Sequence, residues 1–168
     1  RQLTLWMFEE VARFLALLPA TAGALRVSVN LSTRDLLDPE LSQRLGDILA
    51  RHGVAASAFC LEITESAIMD DPQRAEAMLN RLSEQGFKLS IDDFGTGYSS
   101  LAYLKRLPIR ELKIDRSFVT EAPTNADDGA LVEAILSVAS HFGLRVVAEG
   151  VETREQVRFL EQRQPDTV

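Results

Sequence analysis

The sequence predicts an α/β fold in which a parallel sheet is covered by crossover helices. After a leading helix, five segments with the pattern of a β-strand alternate with helical segments along the 168 residues. A composition of 46% hydrophobic and 26% charged residues is typical of a globular domain and sufficient for one sizeable core. The only segment with the composition of a linker, residues 121–129, is short and lies inside the alternation. We therefore expect a single domain over residues 1–168.

The leading helix and the first strand are indicated by their hydrophobic spacing. Apolar residues recur every three or four positions at Leu3, Met7, Val11, Phe14 and Leu18. This spacing places them on one face of a helix, which Pro19 then ends. Residues 25–31 alternate between apolar and polar side chains and are rich in valine, so a strand is expected next.

Two Asp-Pro pairs predict where the next two helices begin. Asp38 and Asp71 are expected as N-caps, each followed by proline at the first helical position. Each helix is expected to end at a glycine, which is typical of a helix C-terminus. Strands are expected over residues 58–64, between the two helices, and over residues 87–91, after the second.

The remaining elements repeat the same cycle of strand and helix. A short helix is expected over residues 101–105, then a strand over residues 110–115 and a longer helix that ends at Gly143. The last strand covers residues 144–149. Residues 153–156 have the Thr-x-x-Gln pattern of a capping box, so another helix is expected there.

Composition and charge exclude several classes of protein. The net charge of −7 and the lack of basic runs interleaved with aromatics argue against binding to long DNA or RNA. The apolar runs are shorter than the roughly 20 residues that span a bilayer, and no signal peptide is recognisable, so a cytoplasmic protein is expected. The single cysteine, Cys60, excludes an internal disulfide and lies in an apolar run where it is expected to be buried.

Each predicted strand carries polar residues at its carboxyl end. These residues are Asn30, Glu62, Glu65, Asp92, Asp93, Lys113, Asp115, Glu149 and Glu152. The carboxyl ends of parallel strands lie at the same side of a sheet, where α/β proteins bind their ligands. Because neighbouring like charges disfavour ionisation, so many carboxylates in one cleft need a compensating cation. We therefore expect a divalent metal site at this side of the sheet.

The types of ligand favour Mg²⁺ or Mn²⁺ over zinc, because the strand ends offer oxygen atoms. Both histidines, His52 and His141, fall in the last turns of predicted helices, where a cation favours the helix dipole. Asp92 and Asp93 suit two ions held roughly 3.5–4 Å apart, an arrangement used for phosphoester cleavage. Lys113 has two possible roles: it neutralises a neighbouring acid, or it orients a phosphate or an attacking water.

Residues 91–98, Ile-Asp-Asp-Phe-Gly-Thr-Gly-Tyr, also admit two other interpretations. A solvated turn would leave both acids without a function, and the agreement among five strand ends argues against it. A glycine-rich phosphate loop would need a third glycine where Ser100 stands. Two acids before that loop would also repel a bare phosphate unless a metal stood between them.

Five motifs together resemble the EAL family of cyclic di-GMP phosphodiesterases. They are VNLS at residues 29–32, LEITES at 61–66, IDDFGTGYSSL at 91–101, LKIDRSFV at 112–119 and VVAEGVET at 146–153. The resemblance covers nearly the whole chain, in order and at family-like spacing. It is therefore far more specific than any one of the motifs.

The resemblance implies a modified (β/α)₈ barrel, TIM-like, that holds two Mg²⁺ or Mn²⁺ ions and hydrolyses cyclic di-GMP to linear pGpG. The metal ligands that it implies are Asn30, Glu62, Asp92, Asp93 and Glu149. Among them, Asp92 is expected to bridge the two ions. Lys113 is expected to position or activate the attacking water.

Other residues take supporting roles by the same resemblance. Glu149 and Glu152 are expected close to the water and the metals, and Asp115 at a polar position near the site. Glu65 is expected to steady the loop that follows the two aspartates. This loop contains Gly95, Thr96 and Gly97. In the family it is tied to homodimer formation, which would couple association to metal occupancy.

The chain departs from the family pattern at both ends. The Glu-Ala-Leu motif of the first strand, whose glutamate is a metal ligand, is absent, and Glu133-Ala134-Ile135 lies on a predicted helix instead. The Gln-Gly-aromatic motif beyond the sixth strand is also missing. Since such barrels take about 250 residues, we expect an incomplete barrel without its first strand and its C-terminal strands, which alone would bind metal poorly.

Three hypotheses of function follow. The first is cyclic di-GMP hydrolysis, in a protein fused to sensory or GGDEF-type domains that could also tether it to a membrane. The second is a catalytically inactive EAL domain that serves as a cyclic di-GMP receptor or protein-interaction module. The third, reached without the family, is a metal-dependent lyase or aldolase that uses Lys113 near a carbonyl.

Overall fold

The computed structural model describes residues 2–19, 25–96 and 101–163, which divide into two compact units, residues 1–89 and 90–168. The first unit contains α1 (Gln2–Leu17), β1 (Val27–Leu31), α2 (Thr33–Leu36), α3 (Leu41–His52), a 3₁₀ turn (Ala56–Ala58), β2 (Phe59–Thr64), α4 (Glu65–Met69) and α5 (Pro72–Glu84). The strand β3 (Lys88–Phe94) starts at the division. It is followed by α6 (Leu101–Leu104), β4 (Glu111–Ile114), α7 (Arg116–Glu121), α8 (Ala126–Phe142), β5 (Arg145–Ala148) and α9 (Arg154–Glu161).

The first unit is built on a parallel pair of strands. β1 and β2 pair from Val27 with Phe59 to Leu31 with Ile63. The apolar residues of β2 are buried along the strand, as expected for a parallel strand that is covered on both faces. Phe8 of α1 is fully buried and stacks on Phe59 with ring centroids 4.2 Å apart. The predicted leading helix and first two strands are therefore confirmed.

One of the two predicted Asp-Pro helix starts is confirmed and the other is wrong. Asp71 caps α5 by accepting a hydrogen bond from the backbone N–H of Arg74, with proline at the first helical position. Asp38 does not cap α3, which begins at Leu41. Its carboxylate accepts a hydrogen bond from the backbone N–H of Glu40, two residues on, at 3.1 Å. This local turn occupies the aspartate and delays the helix.

The second unit contains β3 from Ser90 onward, β4 and β5, which pair in parallel in that order. The pairing of β3 with β4 is irregular between Ile91 and Phe94: two steps along β4, from Leu112 to Ile114, correspond to three steps along β3. An extra residue of this kind is a β-bulge, which bends a strand and redirects its side chains. The two residues inside the bulge are Asp92 and Asp93.

The helices of the second unit confirm most of the predicted boundaries. Asn125 caps α8 and Gly143 ends it with a left-handed φ of 64°. The segment between α7 and α8 is therefore shorter than the loop predicted over residues 121–129. Thr153 and Gln156 form the predicted capping box of α9. No described helix is both long and apolar enough to cross a bilayer.

Candidate metal centre

The end of β3 has an unusual backbone, which directs the side chains of both Asp92 and Asp93 towards Glu149. Asp93 has a φ of 53°, the one positive value at a non-glycine residue in the described ranges. Thr96 holds this turn, because its hydroxyl donates to the carbonyl oxygen of Asp93 at 2.8 Å and its backbone N–H donates to the same oxygen at 3.3 Å. The backbone N–H of Asp93 donates to a carboxylate oxygen of Asp92 at 3.2 Å. Asp and Asn tolerate this left-handed conformation better than most residues.

Three carboxylates come together at this strand end. Asp92, Asp93 and Glu149 each offer an oxygen, and these oxygens all lie within 4.8 Å of one another. Glu149 follows β5 directly, and its backbone N–H donates to the carbonyl oxygen of Ile114 on β4. The donor atoms are all oxygen and the side chains are half-buried. This set suits a hard divalent cation such as Mg²⁺ or Mn²⁺.

Lys113 lies against two of these carboxylates. Its Nζ is 3.1 Å from Asp92 Oδ1 and 2.6 Å from Glu149 Oε1. The lysine comes from β4, which pairs with the strands on either side that bring the two acids. The sequence allows two roles for Lys113, and the structure shows it in contact with neighbouring acids, as the first of these requires.

The pKa values reflect this crowding of acids. Burial raises the pKa of Asp93, and the neighbouring acids Asp92, Asp115 and Glu149 raise it further. The pKa of Asp115 is lowered, chiefly because the hydroxyl of Ser117 donates a hydrogen bond to its carboxylate. Asp115 also caps α7 by accepting from the backbone N–H of Ser117 at 2.9 Å. The cluster therefore extends from the strand ends into the first turn of α7.

The predicted ligands of the first unit lie side by side on its two strands. Asn30 on β1 and Glu62 on β2 are direct partners in the parallel register. Asn30 is exposed at its strand, whereas Glu62 is buried. Glu65, the first residue of α4, is also buried, and neither of its carboxylate oxygens has a hydrogen-bond partner among the described residues.

The other predicted site residues have different surroundings. Gly95 has a φ of 101°, and a Cβ atom there would lie 3.1 Å from Ile135, so this glycine allows the turn to pack on α8. Gly97 lies outside the described residues. Glu152 is exposed, and its backbone N–H donates to the side chain of Gln156 at 2.7 Å. Glu133-Ala134-Ile135 lies on α8, as predicted.

Gly150 is a residue that the sequence reasoning did not single out. It follows Glu149 and has a φ of 69°. A Cβ atom there would lie 2.6 Å from the Cβ of Arg116, at the start of α7. The signal available in the sequence was a glycine directly after a strand-end acid, a position where a left-handed φ or a close neighbour calls for that residue.

Comparison with known families and proteins places the sequence among EAL domains. The family model of the EAL domain matches residues 1–168. The chain is 44% identical over 156 residues to the bifunctional diguanylate cyclase/cyclic di-GMP phosphodiesterase MucR of Pseudomonas aeruginosa, which covers 92% of the chain. It is 43% identical over 168 residues to the cyclic di-GMP phosphodiesterase NbdA of the same organism, which covers 99% of the chain. The chain spans 23% and 22% of the lengths of these curated relatives.

A solved structure confirms the predicted fold class. The PaMucR phosphodiesterase in complex with c-di-GMP matches with a TM-score of 0.92 and 42% identity. The match covers 98% of this chain and 67% of that chain. The fold is therefore α/β and TIM-like, and the chain corresponds to part of such a barrel.

Proposed function

Because the chain belongs to the EAL domain family, we propose that it forms most of the active site of a two-metal phosphodiesterase that hydrolyses cyclic di-GMP to linear pGpG. The observation that carries this proposal is the cluster of Asp92, Asp93 and Glu149, whose oxygens lie within 4.8 Å of one another. The similarity to relatives named as cyclic di-GMP phosphodiesterases supports the choice of substrate.

We propose that the ions are Mg²⁺ or Mn²⁺, two per site. Asp92, Asp93 and Glu149 would hold them together with Asn30 and Glu62, and Asp92 would bridge them. When bound, such ions lower the pKa of a coordinated water and stabilise negative charge on the phosphoryl oxygens. Oxygen donors are the appropriate ligands for these hard cations.

The remaining site residues would act on the water and on the loop. Lys113 is the proposed group that orients the attacking water or the substrate phosphate, because its ammonium already lies among the clustered carboxylates. Glu152 would support the water, and Asp115, which raises the pKa of Asp93, would act beside it at the edge of the site. Buried Glu65 would steady the loop of residues 95–97, since a buried carboxylate needs a hydrogen-bond donor.

The decisive experiment measures conversion of cyclic di-GMP by the full-length protein with Mg²⁺ or Mn²⁺, with pGpG followed by chromatography. The Asp92→Ala and Glu62→Ala variants should lose metal-dependent turnover. Asp127→Asn is the matched control, because Asp127 is an exposed acid in the first turn of α8 and its substitution removes the same charge as Asp92→Ala. Unchanged turnover in Asp92→Ala would reject this ligand assignment, whereas cyclic di-GMP binding without pGpG would favour the receptor function.

We also propose that the protein acts in the bacterial cytoplasm as a homodimer, fused to sensory or GGDEF-type domains. The similarity to a bifunctional cyclase/phosphodiesterase supports the fusion. The proposal of a dimer rests on the family resemblance, in which the loop at residues 94–101 is tied to dimer formation. Light scattering of the full-length protein with Mn²⁺ and with EDTA would test whether mass depends on metal, and a monomer under both conditions would contradict the dimer.

A further inference from the structure

We propose that Lys113 is the internal counter-cation of the metal-free site and that it competes with the divalent ion for Asp92 and Glu149. This inference rests on the proposed metal site and adds a role for the lysine before any substrate is present. The ammonium would neutralise these carboxylates when no divalent ion does, and it would give up the same contacts when an ion binds.

The contacts of Lys113 carry the inference. Its Nζ is within hydrogen-bond distance of one oxygen from each acid, at 3.1 Å from Asp92 and 2.6 Å from Glu149. These are two of the three residues whose oxygens cluster within 4.8 Å. The ammonium therefore contacts the carboxylates that would coordinate a metal ion. A carboxylate can be shared between two cations, but it binds each of them less strongly than it would bind one alone.

The degree of burial makes this competition significant. The side chain of Lys113 is 11% exposed and that of Asp92 is 15% exposed. Interactions between partly buried charges are screened much less by salt than those on the surface. Removing one partner of such a pair leaves an uncompensated charge, which is strongly unfavourable. Lys113 therefore compensates the negative charge of the crowded acids. A metal ion that binds the same acids would have to offset the loss of these contacts.

Replacement of the lysine by a metal ion as the partner of these acids would also affect the lysine itself. If a metal ion were held by the oxygens of Asp92 and Glu149, Lys113 would lose its contacts with these two carboxylates. A lysine side chain is flexible and carries three donors, so it can then turn to a phosphate or a water at the same site. Metal loading would in this way present Lys113 for the reaction only when the site is complete.

The test measures Mn²⁺ binding by the full-length protein, with free Mn²⁺ followed by electron paramagnetic resonance. Lys113→Met keeps most of the side-chain volume and removes the charge. We expect its dissociation constant for Mn²⁺ to fall by about tenfold, within the range typical of coupled binding equilibria. In EDTA, the same variant should unfold at a lower temperature than the unmodified protein, and Mn²⁺ should raise its unfolding temperature by more.

Two further variants separate direct competition from a general charge effect. Lys105→Met removes an exposed lysine in the same unit and should leave Mn²⁺ affinity unchanged. Lys113→Arg keeps the charge and should not bind Mn²⁺ more tightly than the unmodified protein. The tighter binding by Lys113→Met should persist between about 0.05 and 0.5 M KCl, because contact between partly buried charges is weakly screened.

The outcomes distinguish the inference from the proposed function. If the unmodified protein binds Mn²⁺ and Lys113→Met binds it equally or more weakly, the inference is overturned while the metal site stands. If no form of the protein binds Mn²⁺, the proposed function is contradicted and the inference with it. Should Lys113→Met fail to fold in EDTA, competition with a chelator from the Mn²⁺-loaded protein yields the same dissociation constant.

Discussion

Gly150 lies so close to Arg116 that a Cβ atom on the glycine would be 2.6 Å from the Cβ of the arginine. The two residues join the segment after β5 to the first turn of α7. One of these elements carries Glu149 and the other begins with the cap residue Asp115. This close approach of Gly150 to Arg116 therefore brings the segment of Glu149 next to the start of α7, which Asp115 caps.

Gly150→Ala should destabilise the protein and weaken its binding of Mn²⁺. The left-handed φ of 69° costs an alanine about 1–2 kcal/mol, and the overlap with Arg116 adds to this. Gly143→Ala is the control, since Gly143 has a φ of 64° and no atom within 4 Å of its added Cβ. Urea unfolding should show a larger loss of stability for Gly150→Ala, and only this variant should bind Mn²⁺ more weakly. Equal effects of the two substitutions would show that the close contact is unimportant.

Asp93→Asn should stabilise the metal-free protein at neutral pH and weaken its binding of Mn²⁺. The folded protein raises the pKa of Asp93 through burial and neighbouring acids, so stability is fully present below the unfolded value of 3.8 and is lost as pH rises through the folded value. Asparagine removes that loss and tolerates the positive φ. We expect a gain of roughly 0.5–1 kcal/mol at pH 7 in EDTA, the scale of charge pairs near a surface.

The pH dependence of this effect provides its own control. At pH 3.5, below the unfolded pKa of 3.8, the cost of ionising Asp93 in the folded protein is small, so the variant and the unmodified protein should differ less in urea unfolding. A stabilisation of equal size at both pH values would point to a cause other than charge, and a destabilisation at pH 7 would refute the electrostatic explanation.

Glu9→Gln should destabilise the first unit at neutral pH. Glu9 on α1 contacts Arg51 at 2.7 Å and His52 at 2.5 Å on α3. The hydrogen bond from His52 is the largest cause of the lowered pKa of Glu9. A lowered carboxyl pKa gives stability that is present above the unfolded value of 4.5 and is lost as pH falls through the folded value. We expect a loss of about 0.2–1 kcal/mol at pH 7, because the pair is partly exposed.

The matched control for the ion pairs of Glu9 with α3 is Glu10→Gln. Glu10 is on the same helix and pairs with Arg13 one turn away, so its substitution changes net charge equally. Thermal unfolding at pH 7 should be affected more by Glu9→Gln than by Glu10→Gln. The difference between the two variants should shrink when unfolding is measured at pH 3.5, and a constant difference would contradict the role of charge.

Phe8→Ala should destabilise the protein by about 3–5 kcal/mol, as expected for truncation of a buried aromatic residue. Phe8 is fully buried and packs against Phe59 and Phe87. Phe14 is on the same helix but its side chain is 53% exposed, so Phe14→Ala should change stability by less than about 0.5 kcal/mol. Similar losses of stability for the two variants in chemical denaturation would contradict the assignment of Phe8 to the core and Phe14 to the surface.

Local signals explain which parts of the fold were predictable from the sequence. Asp71 with its proline, Gly143 and the Thr153 capping box each act within one helical turn, so the sequence contains the whole interaction. The helices α2, α4 and α7 were not predicted, because four to six residues show little hydrophobic period and these segments directly follow predicted strands, where no turn signal separates them. The division between the two units falls within β3, where no change in composition marks it.

The candidate site was predictable as a set of residues but not as a network. Strand-end positions alone predict Asp92, Asp93 and Glu149 as neighbours, because parallel strands end on the same side of the sheet. The contacts of Lys113 with Asp92 and Glu149 join residues from three strands, and no local pattern encodes the orientation of its side chain. The effect of Asp115 on the pKa of Asp93 is equally non-local.

The bulge in β3 makes the length of this segment as important as its composition. In a regular strand, two consecutive residues point to opposite faces, so only one of two adjacent acids could face the cluster. The extra residue between Ile91 and Phe94, together with the left-handed backbone of Asp93, lets both carboxylates reach Glu149. Deleting a single residue here would regularise the strand and separate the acids onto opposite faces. A change in the length of this segment would therefore separate the two carboxylates even if both aspartates were retained.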